Sequence, residues 1–195
     1  VVDNKGDTDL VNMLGFNFRI TELQAAIGIE QLKKLDEEVS IRQQYAKMYN
    51  DALTQFDFIE ASTFKDRTHS YYVQAFRFNE EKAGVSRNKY IEAVKAELMP
   101  VEKRENEGVP ISCGYVKPIY LLSIFQKKWA YKDQGFGFKE SIDYQKGLCQ
   151  NVEELHYKEL FSHDFTRTPL TKDDVNDVIN AYIKVAQNLD ELKSK

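Results

Sequence analysis

Cysteine, proline, histidine and tryptophan are scarce in this chain: its 195 residues hold two cysteines, four prolines, three histidines and one tryptophan. Cys113 and Cys149 lack C-x-x-C spacing, which excludes a zinc ribbon or a disulfide framework. Either two buried structural thiols or one surface thiol in a reduced compartment is expected. His69, His156 and His163 are dispersed with no cysteine at ligand spacing, so no metal site is expected. The acidic stretch 3–9 has neither the ligand spacing nor the closing glutamate of an EF-hand and reads as a solvated turn.

Long apolar runs are also missing. The longest cluster, residues 118–125, is far short of the roughly 20 residues that span a bilayer. No charged-then-apolar leader opens the chain, so a cytoplasmic setting without a membrane partner is expected. The net charge of −4, with Lys and Arg scattered among acids, argues against a nucleic-acid partner. No internal repeat or low-complexity segment is present.

What remains is enough for a core: 42% of residues are apolar and 12% aromatic, over a length that suits one domain, with or without an appended segment. Helical periodicity runs from Thr21 to about Phe56, with Gly28 as an early interruption and a possible break near Asp36 that would make two helices end to end. Tyr71 to Phe78 predicts a strand with apolar groups on both faces, hence inside a covered sheet. Ser86 predicts an N-cap for a helix with Tyr90, Ile91, Val94 and Leu98 inward, ended by Pro100. A second strand is expected near Val109 to Ser112 and a short helix around Leu121 to Trp129. Thr171 and Asp174 form a capping box, and Val175, Val178, Ile179, Tyr182, Ile183 and Leu189 mark the buried stripe of the last helix. The expected fold class is α+β: a long N-terminal helix, then a small, mostly antiparallel sheet covered by helices.

Residues 14–32 are the most informative stretch. Asn17 and Arg19 stand among Phe16, Phe18 and Ile20, just ahead of an alanine-rich helix start capped by Thr21. A helix N-terminus offers unpaired N–H groups to an anion, and a guanidinium between apolar neighbours needs an acid, a ligand or water. The plainer reading is a capped helix that buries Leu23, Ala26, Ile27 and Leu35. It leaves Arg19 without a role.

The run G-F-N-F-R-I-T-E-L-Q-A-A-I-G over residues 15–28 resembles the G-Y-N-Y-R-M-T-E-L-Q-A-A-I-G signature of the DegT/StrS sugar aminotransferases. The resemblance covers the rest of the chain. Residues 31–36 with Arg42 and Tyr45 are similar to the family's linking helix, H-S-Y-Y-V at 69–73 to its H-x-Y-x-V strand, and G-V-S-R at 84–87 to its G-x-S-R helix start. G-Y-V-K-P-I-Y at 114–120 resembles H-Y-x-P-L-H, departing at Gly114 and Tyr120, where histidines are common. Residues 149–174 resemble the closing strand and helix, whereas 127–145 is unfamiliar and would mark a subgroup.

The resemblance implies a fold type I pyridoxal-phosphate enzyme that moves an amino group from glutamate or glutamine to a keto sugar, usually nucleotide-linked, or a keto-cyclitol. It implies a homodimer in which Asn17 reaches the cofactor phosphate of the neighbouring subunit, with Arg19, His69, Tyr115 and Tyr120 facing substrate. The family's Schiff-base lysine lies upstream of the signature, and nothing in residues 1–13 resembles its setting. The expectation is therefore a C-terminal portion, inactive alone and without a catalytic residue of its own: 1–20 a junction remnant, 21–56 linking helix or helices, 57–195 the small domain. A noncatalytic docking module derived from such an enzyme is the alternative. Gly135 and Gly137 precede no helix pattern and read as a turn, and the charged residues Glu102, Arg104, Glu105 and Glu107 as a solvated connection.

Overall fold

A computed structural model of the chain describes residues 19–63, 65–99, 109–128 and 142–193. Helix α1, Glu22–Leu32, opens with a reciprocal box: the Thr21 hydroxyl accepts from the Gln24 N–H at 3.2 Å, and the Thr21 N–H donates to Gln24 Oε1 at 2.8 Å. A break at Lys33–Lys34 separates it from α2, Leu35–Leu53, so the expected helical stretch is two helices end to end. Of the plainer reading of α1 the Thr21 cap is present, but the burial is not, because none of its residues is buried. Leu23 is 74% and Ile27 56% exposed, Ala26 is exposed, and Leu35 at the start of α2 is 49% exposed. Within the described residues α1 has its main contact with α2.

Helix α2 turns inward only in its second half, where Tyr45, Ala46, Tyr49 and Leu53 recur at helical spacing on one buried face. It leads into a four-stranded sheet made of β1 (Ile59–Ala61), β2 (Gln74–Phe78), β3 (Ile111–Cys113) and β4 (Leu160–His163). The strand order is β1-β2-β4-β3 and every pairing is antiparallel. The remaining helices are α3 (Glu80–Ala83), α4 (Arg87–Ala96), α5 (Ser123–Lys127), α6 (Gln150–Glu154), α7 (Lys172–Gln187) and α8 (Leu189–Lys193). A 3-10 turn, Ile119–Leu121, precedes α5, and a π-helical turn, Leu155–Glu159, continues α6 into β4.

The core lies between one sheet face and the helices α2, α4 and α7. Phe76 stacks on Phe161 with ring centroids 5.2 Å apart, and Phe78 on Tyr90 at 5.1 Å. Burying such a side chain is worth about 1.5–3 kcal/mol, so this aromatic layer is a main source of cohesion. Gln74, Phe76 and Phe78 are buried, but Arg77 between them is exposed and bonds Glu159 at 2.8 Å on the other face. Among the described residues the second face of this strand is thus not covered as expected; the strand alternates with a period of two. It also starts at Gln74, not Tyr71, because Tyr71 takes a left-handed φ of 49° that ends any extended run.

Helix α4 starts after Ser86, whose hydroxyl accepts from the Lys89 N–H, and buries Tyr90, Ile91 and Val94, while Leu98 falls beyond its end and is half-buried. Pro100 lies outside the described residues, as do Trp129, Gly135 and the charged stretch around Glu105. The Thr171–Asp174 box forms as expected, with Val175, Val178, Ile179 and Tyr182 buried and Ile183 and Leu189 half-buried. Both cysteines are free, Cys113 exposed and Cys149 half-buried.

Candidate functional site

Three places carry the residues singled out in the sequence. Ahead of α1, Arg19 is exposed and Ile20 is 72% exposed, while Asn17 lies outside the described residues. His69 is exposed in the turn before β2, where its Nδ1 accepts from the Tyr71 N–H at 2.7 Å. Helix α2 braces that turn: Gln43 donates to the His69 carbonyl at 3.1 Å and Arg42 to the Tyr71 carbonyl at 3.0 Å. Thr166, after β4, donates to the same carbonyl at 3.2 Å.

The third place is the loop 114–120, at the opposite end of the sheet. Gln74 faces His163 in register, whereas Arg77 and Cys113 stand near the start of β4. His69 and the pair Tyr115 and Tyr120 are therefore not brought together by the described residues. Gly114 has φ 69°, and a Cβ there would stand 2.6 Å from the His156 carbonyl and 2.8 Å from its Nδ1. Only glycine fits. Val116 takes φ 28°, a conformation a β-branched residue adopts only under constraint.

That constraint comes from α6 and the π-helical turn. Glu153 and His156, three residues apart, present side chains to one side of this helical segment. The Tyr120 hydroxyl donates to Glu153 Oε1, which also accepts from the Gly147 N–H, and the Tyr115 N–H donates to His156 Nδ1 at 3.3 Å. Burial and the adjoining carboxylate push the Tyr120 phenol up to about 12, and the same hydroxyl holds the Glu153 carboxyl below its ordinary value. Tyr120 is 8% exposed, so its hydroxyl serves the loop, while the Tyr115 ring is 58% exposed.

Arg87 fixes this helical segment through its backbone carbonyls. It is 2% exposed, and its guanidinium donates to the carbonyls of His156 (2.8 Å), Tyr157 (2.9 Å) and Leu160 (2.7 Å) and to Asn88 Oδ1. A cation at the carbonyl end of a helix meets the negative end of its dipole, which offsets the loss of water. Neither Arg87 nor Glu153 and His156 stood out in the sequence as site residues. The G-V-S-R run marked a helix start, and no local pattern announced the π-helical turn.

His163, in contrast, lies inside the core at 1% exposure, with its ring centroid 4.3 Å from that of Tyr49. Burial lowers its pKa to about 3, so it is neutral and structural. No group of three or more His, Cys, Asp or Glu side chains among the described residues is arranged to hold a metal ion. No described helix is long and apolar enough to cross a membrane.

A model of the DegT/DnrJ/EryC1/StrS aminotransferase family matches residues 2–181. The chain belongs to that family. Its relatives include the spore coat polysaccharide biosynthesis protein SpsC of Bacillus subtilis, 28% identical over 177 residues, covering 90% of this chain and 39% of SpsC. A putative L-glutamine:3-amino-2,3-dideoxy-scyllo-inosose aminotransferase of Streptoalloteichus tenebrarius is 29% identical over 190 residues, 93% of this chain and 42% of that protein. The fold matches the crystal structure of an aminotransferase from Psychrobacter cryohalolentis with a TM-score of 0.66 at 20% identity, over 96% of this chain and 44% of that one. The chain spans about two-fifths of the length of the curated relatives it matches.

Enzymes of this family use pyridoxal phosphate, which requires a lysine amine and donors around its phosphate. None of the described lysines is buried; Lys33, Lys47, Lys158, Lys184 and Lys193 pair with carboxylates at the surface. The described residues alone therefore do not make a pocket for this group.

Proposed function

We propose that this chain is the C-terminal part of a pyridoxal-phosphate transaminase that transfers the amino group of glutamate or glutamine to a keto sugar, nucleotide-linked, or to a keto-cyclitol. The observation that carries the reading is the family match over residues 2–181, anchored on the signature at 15–28. The relatives named for spore coat polysaccharide synthesis and for a glutamine-dependent cyclitol transamination support the substrate class. When bound, the cofactor supplies the electron sink for moving the amino group.

In this reading residues 1–20 are the junction to a cofactor-binding domain, 21–56 the link and 57–195 the small domain. The lysine that holds the cofactor lies outside these 195 residues, and the chain alone is inactive. Asn17 donates to the cofactor phosphate of the neighbouring subunit in a cytoplasmic homodimer, and Arg19 meets an anionic substrate group or the donor carboxylate. His69, Tyr115 and Tyr120 belong to the substrate side, with Tyr115 presenting its exposed ring and Tyr120 shaping the loop. A noncatalytic docking module derived from such an enzyme is the alternative.

One labelling experiment separates the two. The chain is mixed with pyridoxal phosphate, reduced with borohydride and mapped by peptide mass spectrometry. No lysine of the chain is expected to carry the pyridoxyl group selectively, whereas the full-length protein carries it at one lysine outside residues 1–195. Selective label at a lysine in this chain contradicts the reading, and no label in the full-length protein favours the docking module.

A further inference from the structure

Resting on that reading of the 114–120 loop, we propose that His156 is the positioning residue for the substrate-side loop, holding it through the neutral form of its imidazole. The argument begins with a strained segment. Gly114 and Val116 both take positive φ, so this stretch of backbone does not hold its shape by itself. Two side chains of one helical face pin it: Glu153 accepts the Tyr120 hydroxyl, and His156 Nδ1 accepts the Tyr115 N–H at 3.3 Å. The His156 ring also fills the space that any side chain at position 114 would need.

The hydrogen bond fixes the protonation state. An Nδ1 that accepts from a backbone N–H has no proton, so the ring is neutral with its proton on Nε2; an imidazolium would set a donor against a donor. Among the described residues, the titratable groups that act on this ring are Arg87 from α4 and Tyr157 on its own turn. Tyr157 stands edge-on at 4.8 Å. Arg87 carries the dominant charge, and its guanidinium bonds the His156 carbonyl at 2.8 Å. Partial burial and that cation both lower the His156 pKa. The same arginine thus fixes the backbone that carries His156 and favours the ring form that accepts from Tyr115.

Amide exchange read by NMR tests the role on the 195-residue chain, with the His156 ring proton signal reporting its titration. In the natural chain the Tyr115 amide is protected at pH 8 and loses about tenfold in protection as His156 titrates, the loss of one hydrogen bond. His156→Asn, whose amide oxygen can replace Nδ1 and cannot be protonated, keeps the protection at both pH values, whereas His156→Phe loses it at both. Protection that persists in His156→Phe, or that stays flat while the natural histidine titrates, overturns the proposal. In the full-length enzyme His156→Phe raises KM for the keto sugar about tenfold with a smaller change in kcat, and His156→Asn restores it. An unchanged KM in His156→Phe also overturns the proposal. A natural full-length enzyme that transfers no amino group counts instead against the functional reading, and the exchange measurement then decides the His156–Tyr115 contact independently.

Discussion

At the scale of single residues, Arg87 has the largest consequence. Its guanidinium is the shared partner of three carbonyls at the end of the π-helical turn, of which the Leu160 carbonyl also accepts the Gly114 N–H at 2.6 Å. Lysine cannot reproduce the planar fork, so Arg87→Lys is expected to lower the unfolding free energy by about 2–4 kcal/mol in urea titration. Two buried tyrosines provide a contrast. The Tyr90 hydroxyl donates to the Tyr182 carbonyl at 3.1 Å, while the Tyr182 hydroxyl has no partner among the described residues. Tyr90→Phe is expected to cost about 1 kcal/mol, and Tyr182→Phe to be neutral or stabilising, both measured by thermal or urea unfolding. His163 sets an acid limit. Its folded pKa of about 3 lies below its ordinary value of 6.5, so its contribution is complete above pH 6.5 and falls away as pH drops toward 3. The slope is up to about 1.4 kcal/mol per pH unit, and His163→Gln should flatten that part of the stability profile.

At the scale of elements, the capped helices follow directly from the sequence. Thr21, Ser86 and Thr171 each accept from an N3 amide, and each was legible because a short hydroxyl side chain stands before a 3.6-residue apolar pattern. Thr171→Ala is expected to cost about 1 kcal/mol. Strand β1 was not legible, since three residues give too short a pattern, and neither was the π-helical turn, which depends on Arg87 some seventy positions earlier in the chain. Helix α1 misled for a different reason: its apolar residues repeat as they would in a buried helix, yet periodicity identifies a face and not its partner. If that face serves another part of the enzyme, Leu23→Ser with Ile27→Ser changes the unfolding free energy of this chain by less than about 0.5 kcal/mol. In the full-length protein the same pair lowers the temperature of thermal unfolding. A large loss of stability in the chain alone would return α1 to its own core.

At the scale of the whole molecule, the α+β class and the antiparallel sheet were readable because alternation and helical periods are local, while which sheet face the described helices cover required knowledge of which helices pack where. The candidate site was readable only in part. The resemblance of 114–120 to a family segment gave the expectation of a substrate-side loop, but Glu153 and His156 come from a segment more than thirty positions away that the fold brings against it. The central claim, amino transfer to a keto sugar, is tested most directly by following nitrogen. The full-length protein is supplied with pyridoxal phosphate, ¹⁵N-amino glutamate or amide-unlabelled, α-¹⁵N glutamine, and a panel of nucleotide-linked keto sugars and keto-cyclitols, and the products are read by mass spectrometry. The account predicts ¹⁵N in an amino sugar or amino cyclitol with release of the donor's 2-oxo acid. Label that stays with the donor across the panel, from a protein shown to carry its cofactor, would contradict it.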